Sequence, residues 1–432
     1  LSVACWEPFT LNNAKELESG LRTIALSATC LCPLAFLTSM AAIEILSKSL
    51  AVAALGLICL EYRNVLKKFS IGLWWFLGLP LLAYVLITIS EAFVLIEDPD
   101  SRWEVVKDQH WVLIFFAYAY ILNKYFTYKW ESYLTAYICL IVSLTLFVTG
   151  QFFLGWTLPR VDPAIFPLGN YFRATGLFNN PLSFANGMGM SSLFLAGVAL
   201  AYFSNLEEKH KRWRYFLALG SFAGFLGMFL TFSRGAWVAY ILSLIFGALF
   251  TKRAWILNLC LPLIILVAVA MTGNHNLSQR ITSGFAGTDI SVQDRWSIWE
   301  ANVKMIKENP LFGVGSMQNK TLLPFYLKED TRDSSLTTHA HNNYIQIWAG
   351  QGLFVLLFYL WFSIYFLYAS IQLACGVSRI NFYRGIGLGS CLAQLYFHML
   401  GLTDSNFFDK ESSSILIFLW SLTLVSSRQV SP

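Results

Sequence analysis

Residues 345–367 read IQIWAGQGLFVLLFYLWFSIYFL and contain no charged side chain. A helix of about 20 consecutive apolar residues is long enough to cross the hydrocarbon core of a bilayer, which is about 30 Å thick. A surface helix of a soluble domain would carry a charged face along such a length, and this stretch has none. The stretch therefore predicts a membrane-spanning helix, and similar stretches recur along the chain.

The composition of the whole chain agrees with this prediction. The 432 residues are 56% hydrophobic and 16% aromatic but only 13% charged, whereas soluble domains carry about 25% charged residues. So many aromatic residues also exclude a disordered chain. We predict an all-α, polytopic integral membrane protein of about twelve transmembrane helices. The predicted spans are residues 21–42, 50–60 with its flanks, 71–90, 111–122 with its flanks, 133–153, 182–203, 215–232, 235–250, 254–271, 345–367, 386–402 and 415–425.

The distribution of basic residues predicts the orientation, because loops that face the cytoplasm are enriched in Lys and Arg. With a cytoplasmic N-terminus, the alternation holds along the whole chain and places the C-terminus in the cytoplasm as well. The loops on the opposite face are acidic or mixed, and the basic residues are too scattered for a nucleic-acid-binding stripe. Five predicted cytoplasmic loops carry the basic residues Arg63, Lys67, Lys68, Lys124, Lys129, Lys209, Lys211, Arg212, Arg214, Lys252, Arg253, Arg379 and Arg384.

One long loop interrupts the pattern of short connections and divides the chain. We predict spans 1–9 within residues 1–272, a periplasmic loop over residues 273–344, and spans 10–12 within residues 345–432. The periodicity from Asp294 to Asn309 predicts an amphipathic helix in the loop, with Ser291 and Asp294 as a capping box and Pro310 as its end. Its Trp and Ile side chains are typical of a face that lies on the membrane surface.

Three arginines stand on the predicted outer face, where the insertion bias acts against basic residues: Arg173, Arg234 and Arg295. Each guanidinium is a planar fork with five donors, which suits the oxygens of phosphate groups. A snorkelling arginine at the membrane interface is the alternative for any one of them. Three together on one face favour an anionic ligand.

The histidines of the motif His339-Ala340-His341 stand just before the span at 345–367. Asn342 or Asn343 is a natural N-cap for that helix, and the helix dipole then keeps His341 uncharged, as a general base requires. An ordinary capping histidine stays open as the alternative. A metal site lacks an obvious third ligand beside the two histidines. Elsewhere on the outer face, the triplet Asp98-Pro99-Asp100 has the form of a metal-binding Asp-x-Asp, although an acidic loop produces such triplets by chance.

Several of these motifs resemble those of a known family. His341-Asn342, followed after nine residues by Gly352, is similar to the signature of bacterial O-antigen ligases, in which a histidine and an amide or serine precede a glycine at this spacing. The resemblance covers roughly residues 173–357 by motif and the whole chain by topology. Further segments that resemble this superfamily are Arg173 to Phe178, Ser233 to Gly235, Arg295 to Trp299 and Asn309 to Gly315.

The resemblance implies a glycosyltransferase that moves a completed glycan from undecaprenyl diphosphate to a sugar hydroxyl of lipid A–core. It implies Arg234 and Arg295 as ligands of the donor diphosphate, with Arg173 as a third. It implies His341 as the base that takes the proton from the acceptor hydroxyl during a single inverting displacement. Such an enzyme needs neither metal nor cofactor.

The resemblance further implies the inner membrane of a Gram-negative bacterium, a periplasmic active site, and supporting roles for His339 and Asn342. The implied partners are the lipid-linked O-antigen donor, the lipid A–core acceptor and membrane lipids, and the oligomeric state stays open. Few residues follow the last predicted span, so we expect no large C-terminal domain of the kind carried by protein-modifying members. O-antigen polymerase and protein O-oligosaccharyltransferase stay open within the superfamily, and a transporter of a lipid or polyanion stays open outside it.

Overall fold

The computed structural model describes residues 11–61, 74–125, 130–157, 166–168, 170–203, 208–252, 264, 290–327, 339–376 and 381–430. Within these ranges the protein is almost entirely helical, and one short antiparallel hairpin pairs β1 (Pro167–Leu168) with β2 (Tyr171–Phe172). A π-helical turn, Trp74–Gly78, leads directly into α3. The helices are α1 (Leu11–Ala35), α2 (Met40–Leu60), α3 (Leu79–Leu95), α4 (Pro99–Asp108), α5 (Trp111–Tyr125), α6 (Trp130–Leu154), α7 (Pro181–Phe203), α8 (Glu208–Leu230), α9 (Arg234–Thr251), α10 (Ile290–Glu308), α11 (Gln318–Tyr326), α12 (Asn343–Cys375), α13 (Asn381–Leu400) and α14 (Lys410–Val430).

Seven helices of the described ranges are long and apolar enough to cross a membrane, which confirms an all-α polytopic membrane protein. The predicted spans 111–122, 386–402 and 415–425 fall on α5, α13 and α14, which do not meet that criterion of length and hydropathy. The predicted span 254–271 lies outside the described residues except for Ile264. The seven segments are Met40–Leu60, Trp75–Leu95, Glu131–Leu154, Pro181–Ala201, Arg212–Leu230, Arg234–Thr251 and Asn343–Cys375.

The predicted span 21–42 is wrong in its boundaries, because residues 36–39 interrupt it. Helix α1 ends at Ala35, and α2 begins at Met40. Ser39 is the N-cap of α2, and its hydroxyl accepts a hydrogen bond from the amide of Ala42 at 3.3 Å. A capping serine satisfies an otherwise open amide of the first helical turn. An apolar run therefore contains a helix end that hydropathy alone does not register.

Helices α7 and α13 form the centre of the bundle. In α7, 89% of the apolar window is buried, against 39–50% in the other six segments. The two helices touch backbone to backbone, because a Cβ added to Gly197 would come within 2.2 Å of the amide nitrogen of Gly389. Small residues at such crossings allow helices to approach closely in membranes, where the hydrophobic effect does not hold them together. The central pair thus sets the positions of the loops at its ends.

Buried polar side chains explain the low hydropathy of α13 and α14. The amide group of Gln394 donates to the hydroxyl of Ser370 at 2.8 Å and accepts from the indole of Trp420 at 3.1 Å. All three side chains are buried. Polar groups in apolar surroundings are retained when they are hydrogen-bonded to each other, so these helices belong to the interior of the bundle.

The described part of the long loop packs on the bundle through α10 and α11. The prediction of a helix in this loop is confirmed, but α10 begins at Ile290, so Ser291 lies inside the helix and is not its N-cap. The predicted contact of the apolar face with the membrane surface is also wrong for Ile298, which is 2% exposed and packs with Leu323 of α11. Ile306 of this helix is also buried, whereas Trp296 is largely exposed. The predicted division at residues 272 and 344 stays a prediction.

Candidate functional site

Arg234 is the first residue of α9 and follows a tight turn from α8. Phe232 in this turn has a positive φ of 50°, and Ser233 precedes the helix without a side-chain capping bond. The neighbouring Gly235 lies against the loop between α13 and α14, since an added Cβ would come within 2.8 Å of the hydroxyl of Thr403. A glycine at this position allows the start of α9 to touch that loop, which we call the 401–409 loop.

The structure brings Arg173 to the same turn. The Arg173 amide extends the pairing of the hairpin by donating to the carbonyl of Phe166 at 2.8 Å. Its guanidinium Nε donates to the carbonyl of Thr231 at 2.9 Å, three residues before Arg234. Ala174 reinforces the contact, because its amide donates to the carbonyl of Leu230 at 3.0 Å. Two of the three predicted diphosphate ligands therefore lie around one turn.

A buried glutamine, which the sequence analysis did not single out, holds the segment after Arg173. The side-chain oxygen of Gln151 accepts from the amides of Thr175 and Gly176 at 3.2 and 2.9 Å. Its amide nitrogen donates to the carbonyl of Gly176 at 3.1 Å. Gly176 has a φ of +63°, and an added Cβ would collide with Phe184. The backbone conformation and the contact with Phe184 therefore both require a glycine at this position of the Arg173 to Phe178 motif.

Both backbone polar groups of Ala340, between the two histidines, are held by side chains. The indole Nε1 of Trp299 donates to the carbonyl of Ala340 at 2.8 Å, and the Ala340 amide donates to the side-chain oxygen of Gln346 at 2.8 Å. His341 itself has a left-handed φ of 48°. A non-glycine residue in this conformation persists only where its surroundings fix it. The backbone of His341 is therefore held in place by α10 and α12.

A chain of buried side-chain amides joins α10, α11 and α12 and supports this arrangement. Gln346 donates to the side-chain oxygen of Asn319 at 2.8 Å, and Asn319 donates in turn to Asn302 at 2.8 Å. Asn302 donates to the carbonyl of Ile298 at 2.8 Å. All three side chains are almost completely buried. The loop helices and the start of α12 are thereby joined in one hydrogen-bonded unit.

Asn342 is the N-cap of α12, in agreement with the prediction. Its side-chain oxygen accepts from the amides of Tyr344 and Ile345 at 2.9 and 3.0 Å. Its side-chain nitrogen donates to the carbonyl of Leu402 at 2.9 Å, and its backbone amide donates to the hydroxyl of Ser405 at 3.2 Å. Asn342 therefore both starts the helix and attaches the 401–409 loop beside His341.

Arg295 acts electrostatically on His341 and on a carboxyl group of the 401–409 loop. Arg295 precedes Trp299 by four residues on α10, so both side chains lie on one face of the helix. Burial, then the charge of Arg295, then that of His339, lowers the pKa of His341 to about 4. Burial raises the pKa of Asp404 to about 6, while the amide of Ser405 and the charge of Arg295 oppose this increase.

The structure thus gathers the predicted residues at one end of the bundle. Arg173 and Arg234 lie at the α8–α9 turn, which touches the 401–409 loop, and that loop carries Asp404 beside Arg295 and His341. His339 is close to His341, with 5.7 Å between their ring centroids, and burial followed by the charge of Lys320 lowers its pKa. The sequence analysis missed Asp404, Gln151 and the amides of Gln346, Asn319 and Asn302. The sequence signal of Asp404 is a carboxylate in an acidic loop, which by itself indicates only topology.

Gly352 of the His341-Asn342-x9-Gly352 spacing interrupts α12, with φ 78° and ψ 178°. The segment after α10 pairs with this break: the amides of Val314 and Gly315 donate to the carbonyls of Ala349 and Gly350 at 2.9 and 2.8 Å. A Cβ on Gly352 would come within 2.2 Å of the carbonyl oxygen of Leu311. The Asn309 to Gly315 segment and the glycine of the His341-Asn342-x9-Gly352 motif therefore meet at the break in α12.

Asp98, which belongs to the Asp98-Pro99-Asp100 triplet, lies elsewhere and caps α4. Its carboxylate accepts hydrogen bonds from the amide and the hydroxyl of Ser101 at 2.8 and 2.6 Å. The hydroxyl of Ser101, followed by its amide, lowers the pKa of this exposed carboxyl group. The observed contacts of Asp98 are thus those of a helix cap.

Residues 219–360 match the family model described as O-antigen ligase. This segment of the chain is similar to the O-antigen ligase family. The match covers about a third of the chain and includes Arg234, Arg295, His341 and Gly352, whereas Arg173 and the 401–409 loop lie outside it. The superfamily consists of membrane-bound bacterial enzymes that resemble glycosyltransferases. No curated protein matches the chain.

Proposed function

We propose that this protein is an O-antigen ligase. It transfers a glycan from undecaprenyl diphosphate to a sugar hydroxyl of lipid A–core at the periplasmic face of the inner membrane. One observation carries the proposal: His341 stands at the start of α12, uncharged near neutral pH, within the electrostatic reach of Arg295. A neutral imidazole beside a guanidinium suits a reaction that removes a proton while a phosphate group departs.

The arginines supply the site for the donor. Two guanidinium groups lie around the α8–α9 turn, and a third lies on α10 beside the 401–409 loop. As the glycosidic bond breaks, the electron pair of that bond moves to the leaving diphosphate, so its negative charge increases. Preorganised guanidinium groups stabilise this charge most strongly in the transition state, which lowers the barrier. Because the donor carries its own leaving group, the reaction needs no nucleotide.

His341 removes the proton from the acceptor hydroxyl. The acceptor oxygen bonds to the anomeric carbon from the face opposite to the departing diphosphate, so the configuration inverts, and the proton passes to the imidazole. In the free protein the charge of Arg295 contributes to the low pKa of His341. A bound diphosphate offsets this charge and raises the pKa of the imidazole, so the base becomes stronger when the donor is in place.

The 401–409 loop and the network of buried amides hold His341 and Arg295 in fixed positions. Asp404 lies beside Arg295 and is buried, and the loop that carries it is bonded to Asn342. The opposite charges of Asp404 and Arg295 attract each other, and Asn342 and Trp299 hold the backbone on either side of His341. Rigid positioning of this kind contributes to the rate because the reacting groups are already aligned.

A two-lipid assay tests the proposal. The purified protein is incubated with an undecaprenyl-diphosphate-linked glycan and lipid A–core. The mass of the lipid A–core acceptor is then measured by mass spectrometry. We expect the mass of lipid A–core to increase by one complete glycan, and His341→Ala to abolish this increase. His110→Ala is the matched control, because His110 follows α4 and its imidazole Nδ1 hydrogen-bonds to the carbonyl of Lys107.

The same assay separates the alternatives. A polymerase extends the lipid-linked glycan in the absence of lipid A–core, and a protein-modifying enzyme requires a polypeptide acceptor. A transporter moves the donor across a vesicle membrane without making a glycosidic bond. Any of these outcomes without a mass increase of lipid A–core overturns the ligase proposal. Full activity of His341→Ala overturns the general-base role of His341 but not the ligase activity.

A further inference from the structure

A cavity of about 490 Å³ lies between α1, α5, α6, α7, α13 and α14. Its walls are mostly aliphatic and aromatic, and its few polar side chains include Thr29, Tyr137 and Ser191. None of the groups assigned above to glycan transfer lines it. The apolar lining includes Leu26, Leu34, Ile121, Met190, Phe194 and Leu419.

The end of the cavity that Arg22 and Phe382 line lies at the opposite end of the bundle from His341. Phe382 at the start of α13 lines the cavity, whereas Leu400 at the end of α13 adjoins the 401–409 loop. At about 1.5 Å per helical residue, these two positions are about 27 Å apart along α13. The cavity follows α1 from Arg22 to Leu34, a length of about 18 Å. This is close to the depth of one leaflet, because the hydrocarbon core is about 30 Å thick.

Two cations lie at this end of the cavity, around the ring of Tyr125. The guanidinium carbon of Arg22 lies 4.8 Å from the centroid of the Tyr125 ring, and the ammonium nitrogen of Lys124 lies 5.2 Å from the same centroid. Lys124 is also paired with Glu61, which leaves Arg22 as the stronger source of net positive charge at this rim. Basic pockets between transmembrane helices on the cytoplasmic side attract anionic lipid headgroups.

We propose that this cavity binds one acyl chain of an anionic phospholipid from the leaflet opposite to the transfer site, with the lipid phosphate on Arg22. The volume holds about 16 groups the size of a water molecule, at about 30 Å³ each, which corresponds to one acyl chain of methylene groups and not to two. An aliphatic chain fits the lining, and the charged headgroup stays at the interface beside Arg22. The site is separate from that of the glycan donor and acceptor, because none of the residues assigned to glycan transfer lines the cavity.

Native mass spectrometry tests the proposal. The purified protein is equilibrated in detergent with equal amounts of phosphatidylglycerol and phosphatidylcholine that carry the same acyl chains, and the retained lipid is identified. We expect one tightly retained lipid and a preference for phosphatidylglycerol of about fivefold, which corresponds to about 1 kcal/mol for one basic residue near the interface. Arg22→Gln removes this preference. Arg428→Gln, an exposed arginine at the same end of the bundle that does not line the cavity, retains it.

A second variant tests whether the acyl chain occupies the cavity. Cys30 lines the cavity, so Cys30→Trp fills it and is expected to reduce retention of both lipids. Cys139→Trp adds the same ring at an exposed position of α6 and leaves retention unchanged. The absence of a retained lipid, equal retention of the two lipids, or full retention by Cys30→Trp overturns the proposal. If Cys30→Trp does not fold, the comparison of Arg22→Gln with Arg428→Gln still decides the result.

Discussion

The indole Nε1 of Trp299 donates a hydrogen bond to the carbonyl oxygen of Ala340 across 2.8 Å, and this bond joins α10 to the segment that carries His341. The two residues are 41 positions apart in the sequence. Arg295 stands one helical turn before Trp299, so the same helix carries both the contact that fixes the histidine and the charge that acts on it. The position of α10 therefore sets the geometry of the candidate site.

Trp299→Phe removes this bond and keeps most of the apolar volume. A net contribution of about 1 kcal/mol is typical of one hydrogen bond, so we expect turnover to fall about fivefold while the protein stays folded. The measurement is the steady-state rate of glycan transfer. Trp296→Phe serves as the control, because Trp296 is on the same helix and 64% exposed. Equal effects of the two substitutions would show that the bond to Ala340 does not position His341.

The pH dependence of transfer follows from the pKa of His341. Since that pKa is about 4 in the free protein, His341 is neutral over the physiological range, and the acid limb of kcat/KM is expected near pH 4. Arg295→Gln removes a positive charge that lowers this pKa. The pKa then rises, less imidazole is neutral in acid, and the acid limb moves to higher pH.

Lys304→Gln is the control for this profile, because Lys304 is an exposed cation on the same helix that pairs with Glu300 at 4.0 Å and donates to the carbonyl of Tyr326. We expect its acid limb to coincide with that of the unmodified protein. An acid limb that does not move in Arg295→Gln contradicts the proposed electrostatic coupling. The maximal rate of Arg295→Gln is also expected to fall at least tenfold, since the guanidinium no longer stabilises the diphosphate.

The fold class followed from the sequence because hydrophobic length is a local property, but several boundaries did not. The apolar run 345–367 is part of α12, which begins at Asn343 and extends to Cys375. The run 21–42 concealed the cap at Ser39, since one hydroxyl hardly changes the mean hydropathy of a window. The apolar face of α10 was recognised, but its partner was not, because periodicity shows which residues share a face and not what covers them.

The sequence predicted those site residues whose own side-chain chemistry indicates a role. Arg234, Arg295 and His341 were recognised from charge, outer-face placement and motif spacing, and their roles stay predictions. Asp404 and Gln346 were missed, because their importance comes from contacts with distant segments. Gln346 bonds to Asn319, which is 27 residues away, and the loop of Asp404 bonds to Asn342. A single sequence contains no local signal for such pairs.

The two arginines at the α8–α9 turn give a test of diphosphate binding. Arg234→Lys preserves the charge but removes the planar fork, so we expect kcat to fall about 10- to 100-fold, equivalent to about 1.4–2.8 kcal/mol in the transition state. Arg173→Lys is expected to have a smaller effect, because Nε of Arg173 already bonds to the carbonyl of Thr231. The measurement is kcat and KM for the lipid-linked donor.

Arg102→Lys is the matched control for these variants. Arg102 lies on α4, and its guanidinium donates to the carbonyls of Ile96 and Glu97, so it contacts no part of the turn in the described residues. We expect its kinetics to equal those of the unmodified protein. Wild-type turnover in both Arg234→Lys and Arg173→Lys would refute the assignment of the diphosphate to this turn.

Gly352→Ala tests whether the break in α12 is required. The residue has a φ of +78°, and the added Cβ would lie 2.2 Å from the carbonyl oxygen of Leu311, so both strain and collision oppose the substitution. A strained backbone position of this kind costs about 1–3 kcal/mol. We expect the apparent Tm in detergent to fall by a few degrees and transfer to fall with it, because the segment before α12 carries His341. Gly20→Ala in α1 is the control, since nothing lies within 4 Å of its added Cβ and alanine favours a helix. A Gly352→Ala protein as stable as Gly20→Ala would show that α12 tolerates a continuous helix and that the break is not needed to hold the site.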